Sequence, residues 1–325
     1  MTGPLAPGAA PPPAAPNGSA VTEFLLEGFS SLGQRPRVLL FAVFLALYLL
    51  TLSGNAVIVS IIRRDRHLHT PMYFFLSLLS VSETCYSMAI IPRMLQGLLC
   101  PHMPIPRPAC AAQLFFYLTF GVNNCFLLTA MGYDRYAAIC SPLRYSAIMR
   151  RAACARLAAS CLGVGLCMAV AQVASVFGLP YCRARVVAHF FCDVTPLLRL
   201  ACADTTANEI LSLAVSVLVL VVPMGLVFCS YVFIIATILR IASAEGRKKA
   251  FATCASHLTV VIVHYGCASI VYLKPKSQAS PVQDRLVSVT YTVITPLLNP
   301  VVYSLRNKEV KDALLRAAGR KPLSD

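Results

Sequence analysis

The sequence contains no tryptophan and is poor in charge. Of its 325 residues 13% are Asp, Glu, Lys or Arg and 58% are hydrophobic, whereas a soluble domain carries about a quarter charged residues. So few charges cannot cover a soluble surface of this size. Also missing is a secretory pattern at the start: residues 1–20 are mostly Pro, Ala, Gly and Ser, without a basic segment or an apolar stretch, so no cleavable signal is expected and the first apolar run must direct its own insertion. Ten-residue alternating segments are lacking too, which argues against a membrane β-barrel. No zinc-ligand spacing occurs, and no cofactor or metal is expected.

What is present is a set of long apolar runs. They lie at 37–62, 72–95, 111–139, 152–177, 207–239, 250–273 and 285–305, each long enough to cross a hydrocarbon core of roughly 30 Å as a helix. The expectation is an all-α membrane protein, a bundle of seven transmembrane helices. Leu305, Leu314 and Leu315 then stand among Arg306, Lys308, Lys311 and Arg316, the pattern of a short eighth helix lying on the membrane surface. The chain divides accordingly into an N-terminal tail (1–36, Pro-rich and flexible to about residue 30), a seven-helix bundle (37–305) and a surface helix and tail (306–325).

Most of the 28 Lys and Arg fall on one side of the bundle. The positive-inside rule places that side in the cytoplasm and the N-terminus outside. The formal charge of +15 is then matched by anionic membrane lipid and needs no nucleic acid. With the tail outside, Asn17-Gly18-Ser19 is a glycosylation sequon. Cys110, Cys182, Cys192 and Cys202 fall on the outer, oxidising side. Four cysteines allow three pairings, Cys100 lies close enough to compete, and spacing does not choose among them.

Several strings stand in order along the chain: LHTPMYFFLSLLS at 68–80, MGYDRYAAIC at 131–140, Ser230-Tyr231, KAFATCASHLTVV at 249–261 and PLLNPVVYSLRNKEV at 296–310. Together they closely resemble the vertebrate olfactory receptors of the tetrapod-type (class II) branch, within the rhodopsin-like G-protein-coupled receptors. The resemblance spans about residues 22–317. It implies the disulfides Cys110–Cys192 and Cys182–Cys202, an odorant ligand, and a stimulatory G protein that raises cyclic AMP, all in a multi-pass plasma-membrane protein that is not an enzyme.

Individual residues can be read physically beside that resemblance. Asn55, Glu83 and Asn299 are polar groups at mid-membrane depth, where such side chains face the bundle interior, and they are expected to face one another. The resemblance makes them an activation-linked polar core that in some relatives holds sodium. Asn124 stands here where relatives commonly have a second acid, which argues against sodium. Asp134-Arg135-Tyr136 closes the third span, where Arg135 can pair with Asp134 or reach toward neighbouring helices. The resemblance assigns Arg135, Tyr231 and Tyr303 to the opening of a G-protein cavity, with Arg247, Lys248 and Lys249 ahead of span six on its rim. Pro223, Pro296 and Pro300 mark bends, since each ring removes a backbone donor.

Four to five turns outward from Arg135, Tyr117, Leu118, Gly121 and Val122 share one face of span three. They form one wall of a candidate ligand pocket. By resemblance, Ser212, Val215, Ser216 and Val219 of span five and Tyr265, Ala268, Ser269 and Tyr272 of span six supply the others. No Asp, Glu, Lys or Arg is among these, so small neutral ligands are expected, although Arg183 or Arg185 of the outer loop could fold over the mouth. A transporter would show repeats and several deep ionisable groups, and only Glu83 qualifies. For an enzyme, His257 and His264 stand seven residues apart, two helical turns, but no third ligand accompanies them. A receptor for a non-odorant ligand is the remaining alternative.

Overall fold

A computed structural model describes residues 21–30, 32–100, 103–182, 185–272, 288–317 and 319, without the side chains of Lys249, Thr253, Val271, Tyr272 and residues 304–306. Among the described residues six helices are long and apolar enough to cross a membrane. They are α1 (Gln34–Arg64), α2 (Pro71–Leu99), α3 (Arg107–Cys140), α4 (Arg151–Phe177), α5 (Thr206–Leu239) and α6 (Ala244–Tyr272). A π-helical turn, Thr290–Ile294, leads into α7 (Thr295–Arg306), and α8 (Lys308–Ala317) follows. The first three spans extend a little past both ends of their apolar runs, because the helix continues until its ends reach polar surroundings. Two shifts change a reading. α6 starts at Ala244, so Arg247 and Lys248 ride its first turns rather than preceding it, and α8 starts at Lys308, leaving Leu305 and Arg306 in α7.

The π turn has a local cause. Pro296 has no N–H, so the carbonyl of Thr292 loses its ordinary i+4 donor, and the backbone widens one turn earlier. Pro92 and Pro223 also lie inside helices. α3 is the central element, with buried residues from Cys110 to Ala137. Two glycines permit close helix approach: a Cβ on Gly165 of α4 would lie 2.6 Å from the Thr119 carbonyl oxygen of α3, and one on Gly54 of α1 would lie 2.9 Å from Pro300 of α7.

The N-terminal segment corrects one expectation. Far from being flexible to residue 30, Glu23–Leu26 forms strand β1, antiparallel to β2 (Pro104–Pro106) and parallel to β3 (Val186–Val187). β2 carries two prolines and sits at the sheet edge, the position where a missing N–H is tolerated. Phe24 is fully buried and meets Phe177 and Tyr181 edge-on. At the opposite end of the bundle α8 buries Val310 and Ala313. Tyr73 of α2 donates to Glu309 at 2.7 Å, and Arg316 pairs with Asp65 at 2.6 Å. Asn17 and Arg183 lie outside the described residues.

Candidate functional site

The sheet end is closed by the loop between α4 and α5. Cys110 of α3 is bonded to Cys192, and Cys182 to Cys202, with Cα separations of 5.6 and 5.9 Å. Gln113, one turn below Cys110, donates to the Ala89 carbonyl of α2 and accepts from the backbone N–H of Cys192, both at 2.9 Å. One amide thereby ties two helices to the loop. Arg107 donates to the Phe177 carbonyl and lies over the Tyr181 ring, 5.5 Å from its centroid.

The loop delivers a carboxylate to the predicted pocket wall. The Tyr117 hydroxyl donates to Asp193 Oδ1 at 2.8 Å, which also accepts from the Val194 N–H as the cap of a short helix, Val194–Leu198. Asp193 was not among the expected wall residues, so the loop adds an acid beside Tyr117. Loss of hydration raises the Asp193 carboxyl above its usual range, against the pull of the Tyr117 and Val194 hydrogen bonds. Phe191 meets the Tyr117 ring edge-on at 5.2 Å, and an aromatic series continues through Tyr86 and Tyr291 to His264. Asp193 and Phe191 escaped the sequence reading because a loop residue has no helical phase. The Phe-Phe-Cys-Asp string beside a disulfide cysteine was the available signal.

The other predicted wall residues are placed unevenly. Val122, Val219 and Ala268 are buried, while Leu118, Ser212, Val215 and Ser216 are half-buried. Gly121 faces Tyr86, whose ring would stand 3.4 Å from an added Cβ. Ser216 donates to the Ser212 carbonyl at 2.9 Å. Ser269 Oγ is buried with no hydrogen-bond partner. Tyr265 differs from expectation: its hydroxyl donates to the Cys125 carbonyl at 2.7 Å and lies 3.3 Å from Thr129 Oγ1. It therefore packs α6 onto α3 instead of offering a hydroxyl to a ligand. The Tyr272 side chain is outside the described residues, and Arg185 is exposed.

At mid-depth Asn299 donates to Glu83 Oε1 at 2.6 Å. Asn55 does not join them by a hydrogen bond, because its amide donates back to the Thr51 carbonyl of its own helix at 3.0 Å. Instead Asn123 reaches α2, donating to Ser82 at 2.9 Å. Buried oxygens without hydrogen-bond partners collect in this layer, including Asn55 Oδ1, Glu83 Oε2, Asn124 Oδ1 and Asn299 Oδ1. Glu83 is the one carboxylate named in this layer, and Asn299 engages one of its two oxygens.

At the far end Asp134 is buried and accepts from Tyr145 at 2.8 Å, so of the two alternatives open to Arg135, a hydrogen-bonded pair with Asp134 is not the one formed. Among the described residues Arg135 makes no ion pair or hydrogen bond, and its Nε is buried. Tyr136 packs on Tyr133 and Phe233. Tyr303 is buried with an unpartnered hydroxyl, and Lys248 is exposed. Tyr231 lies 2.8 Å from His257 Nδ1, while His257 Nε2 lies 3.0 Å from the Leu128 carbonyl oxygen. A carbonyl only accepts, so Nε2 carries the proton and Tyr231 donates to Nδ1. His257 thus joins α3, α5 and α6.

A family sequence model described as olfactory receptor matches residues 44–321. The chain belongs to the olfactory receptor family. The receptor is 67% identical to human olfactory receptor 10J4 over 309 residues, 95% of this chain and 99% of that relative. It is 70% identical to human olfactory receptor 10J3 over 86% of this chain and 85% of the relative, and 62% identical to mouse olfactory receptor 10J5 over 94% and 98%. The receptor is accordingly a seven-span, multi-pass plasma-membrane protein of the G-protein-coupled class, and not an enzyme.

Proposed function

We propose that the receptor binds small, neutral, mostly apolar odorants beneath the disulfide-tied loop and activates a stimulatory, olfactory-type G protein through its Arg135 end, raising cyclic AMP. The N-terminus is then extracellular and the C-terminus cytoplasmic. Supporting this orientation, Arg63, Arg64, Arg66, Arg144, Arg150, Arg151, Lys308 and Lys311 all flank the Arg135 end, as the positive-inside rule requires.

The observation that carries the ligand reading is the Tyr117–Asp193 hydrogen bond. The Tyr117 proton is committed to Asp193 and the Ser216 proton to Ser212, so both hydroxyls act as acceptors toward a ligand. An alcohol, which donates, suits them better than an ether or ester. The other walls, Leu118, Val122, Val215, Val219 and Ala268, supply apolar contact worth about 0.8 kcal/mol per buried methylene.

Arg135 makes no ion pair or hydrogen bond among the described residues, and Tyr231 is held by His257, so a partner inserting acceptors at this end would meet guanidinium donors not already engaged. Lys248, with Arg247 and Lys249, lines the approach. Asp134, Tyr136, Asn299 and Tyr303 complete the coupling set, and Asn55, Glu83 and Asn124 its polar core.

A cyclic-AMP reporter in cells carrying an olfactory-type stimulatory G protein, challenged with a broad odorant panel, tests the reading. Alcohols of increasing chain length should gain potency until the pocket fills. A surface-expressed receptor silent to the panel, or one whose best agonist is a carboxylate, would overturn it. Loss of a gel-mobility shift in Asn17→Gln should confirm the orientation, and accessibility of an N-terminal tag only after permeabilisation would reverse it.

A further inference from the structure

On the outward face of the bundle a cleft of about 320 Å³ opens between α3, α4 and α5, lined among others by Phe126, Thr129, Tyr133, Ser160, Leu226 and Ser230. Gly165 explains where it begins. There α4 comes so close to α3 that a Cβ would collide with the Thr119 carbonyl. One and two turns along, Cys161 and Leu157 hold the helices apart, and the gap remains.

The lining contains no Asp, Glu, Lys, Arg or His. An ion there would lose its hydration without a countercharge, so the occupant must be neutral. Thr129 and Ser230 return their protons to the carbonyls of Cys125 and Leu226, at 3.1 and 2.8 Å, the ordinary way for a hydroxyl to be satisfied in a membrane helix. Ser160 does not. Exposed on α4, it makes no hydrogen bond among the described residues, and an unpaired hydroxyl facing hydrocarbon carries a desolvation cost. Ser160 therefore has a proton to give, while Thr129 and Ser230 keep lone pairs to receive one.

The geometry points to a second ligand site, in this lipid-facing cleft, for a neutral lipophilic alcohol that enters from the bilayer, accepts from Ser160 and donates to Thr129 or Ser230. Its volume lies at the small end of the range for ligand pockets, about 300–1,000 Å³. The site is separate from the proposed odorant walls, since none of those residues lines it. It nevertheless touches the core, because Thr129 lies 3.3 Å from the hydroxyl of Tyr265 on α6.

The test uses the full-length receptor in lipid nanodiscs and two photoreactive probes, a twelve-carbon primary alcohol bearing a diazirine and the matching hydrocarbon. The alcohol probe should label the segments around 126–133 and 157–164 saturably, and unlabelled dodecanol should compete. Ser160→Ala should weaken its apparent affinity by about three- to tenfold, the loss of one hydrogen bond. Ser160→Phe, which fills the cleft from an exposed position, should abolish the labelling. Hydrocarbon labelling on α1 should be unchanged in both variants, showing that they fold. Alcohol labelling that does not saturate, or that ignores both substitutions, would overturn the proposal. The readout needs no G protein, so its failure is distinguishable from failure of the signalling reading.

Discussion

The two ends of the bundle satisfy their polar groups differently. At the sheet end the loop is held by two disulfides, by β1 and β3, by the Gln113 amide and by Tyr117–Asp193. At the Arg135 end no such tie holds the coupling groups: Arg135 Nε and the Tyr303 hydroxyl are buried without a hydrogen-bond partner among the described residues, a condition that the sheet end shows at Arg37 in the first turn of α1. A recognition surface gains from pre-organisation, because a rigid wall loses little entropy when a ligand binds. A surface that must change partners gains from the opposite, since a group already paired at full strength has to be unpaired first. The same α3 reaches both ends, and His257 joins it to α5 and α6 in between.

Arg135→Ala should have the largest functional effect, abolishing the cyclic-AMP response to every agonist while leaving their order of binding unchanged. A variant that reaches the surface and signals at wild-type amplitude would remove the contrast between the ends. Cys110→Ala should have the largest effect on stability, since losing a native disulfide typically costs about 2–5 kcal/mol. Loss of surface expression and of thermal stability in detergent would show it. Unchanged melting would mean that the loop is held by its hydrogen bonds alone.

Two carboxylates sharpen the comparison with opposite signs. The Asp193 carboxyl is raised by burial, so its contribution is most favourable below the usual carboxylate range and declines as pH rises through its folded value. Asp193→Asn should then gain stability relative to wild type as pH rises from about 4 toward 7. A difference that shrinks over that range would contradict the placement of Asp193. Asp65 is held below its usual range, first by its hydrogen bond from Arg316. Its contribution is present above that range and disappears as pH falls through it. The pair is exposed, so Arg316→Ala should cost at most about 1 kcal/mol, measurable as a small melting shift at neutral pH that vanishes in acid. A shift as large as that of Cys110→Ala would make α8 a structural element rather than a surface latch.

The spans could be read from sequence because a hydrocarbon solvent imposes a length and a composition on any helix that crosses it. The family could be read because short strings such as MGYDRYAAIC keep their order. The pocket and coupling residues were less legible. Helical phase predicts which side of α3 Tyr117 occupies, but not that a loop residue 76 positions away meets its hydroxyl. Composition marked the first thirty residues as loose chain, yet Glu23–Leu26 finds ladder partners at 104–106 and 186–187, and backbone groups pair with whatever strand the fold brings near. Adjacency in sequence suggested Asp134 with Arg135, whereas neighbours in a helix point to different faces and Tyr145 takes the acid. Tyr265 looked like a pocket hydroxyl until the packing of α6 on α3 turned it toward Cys125. By itself the sequence determined which segments must leave water and which family pattern they carry, because both are local properties of the chain. Which polar groups meet, and which are left without a partner, only the tertiary structure decided, because each hydrogen bond depends on where a second helix or loop comes to rest.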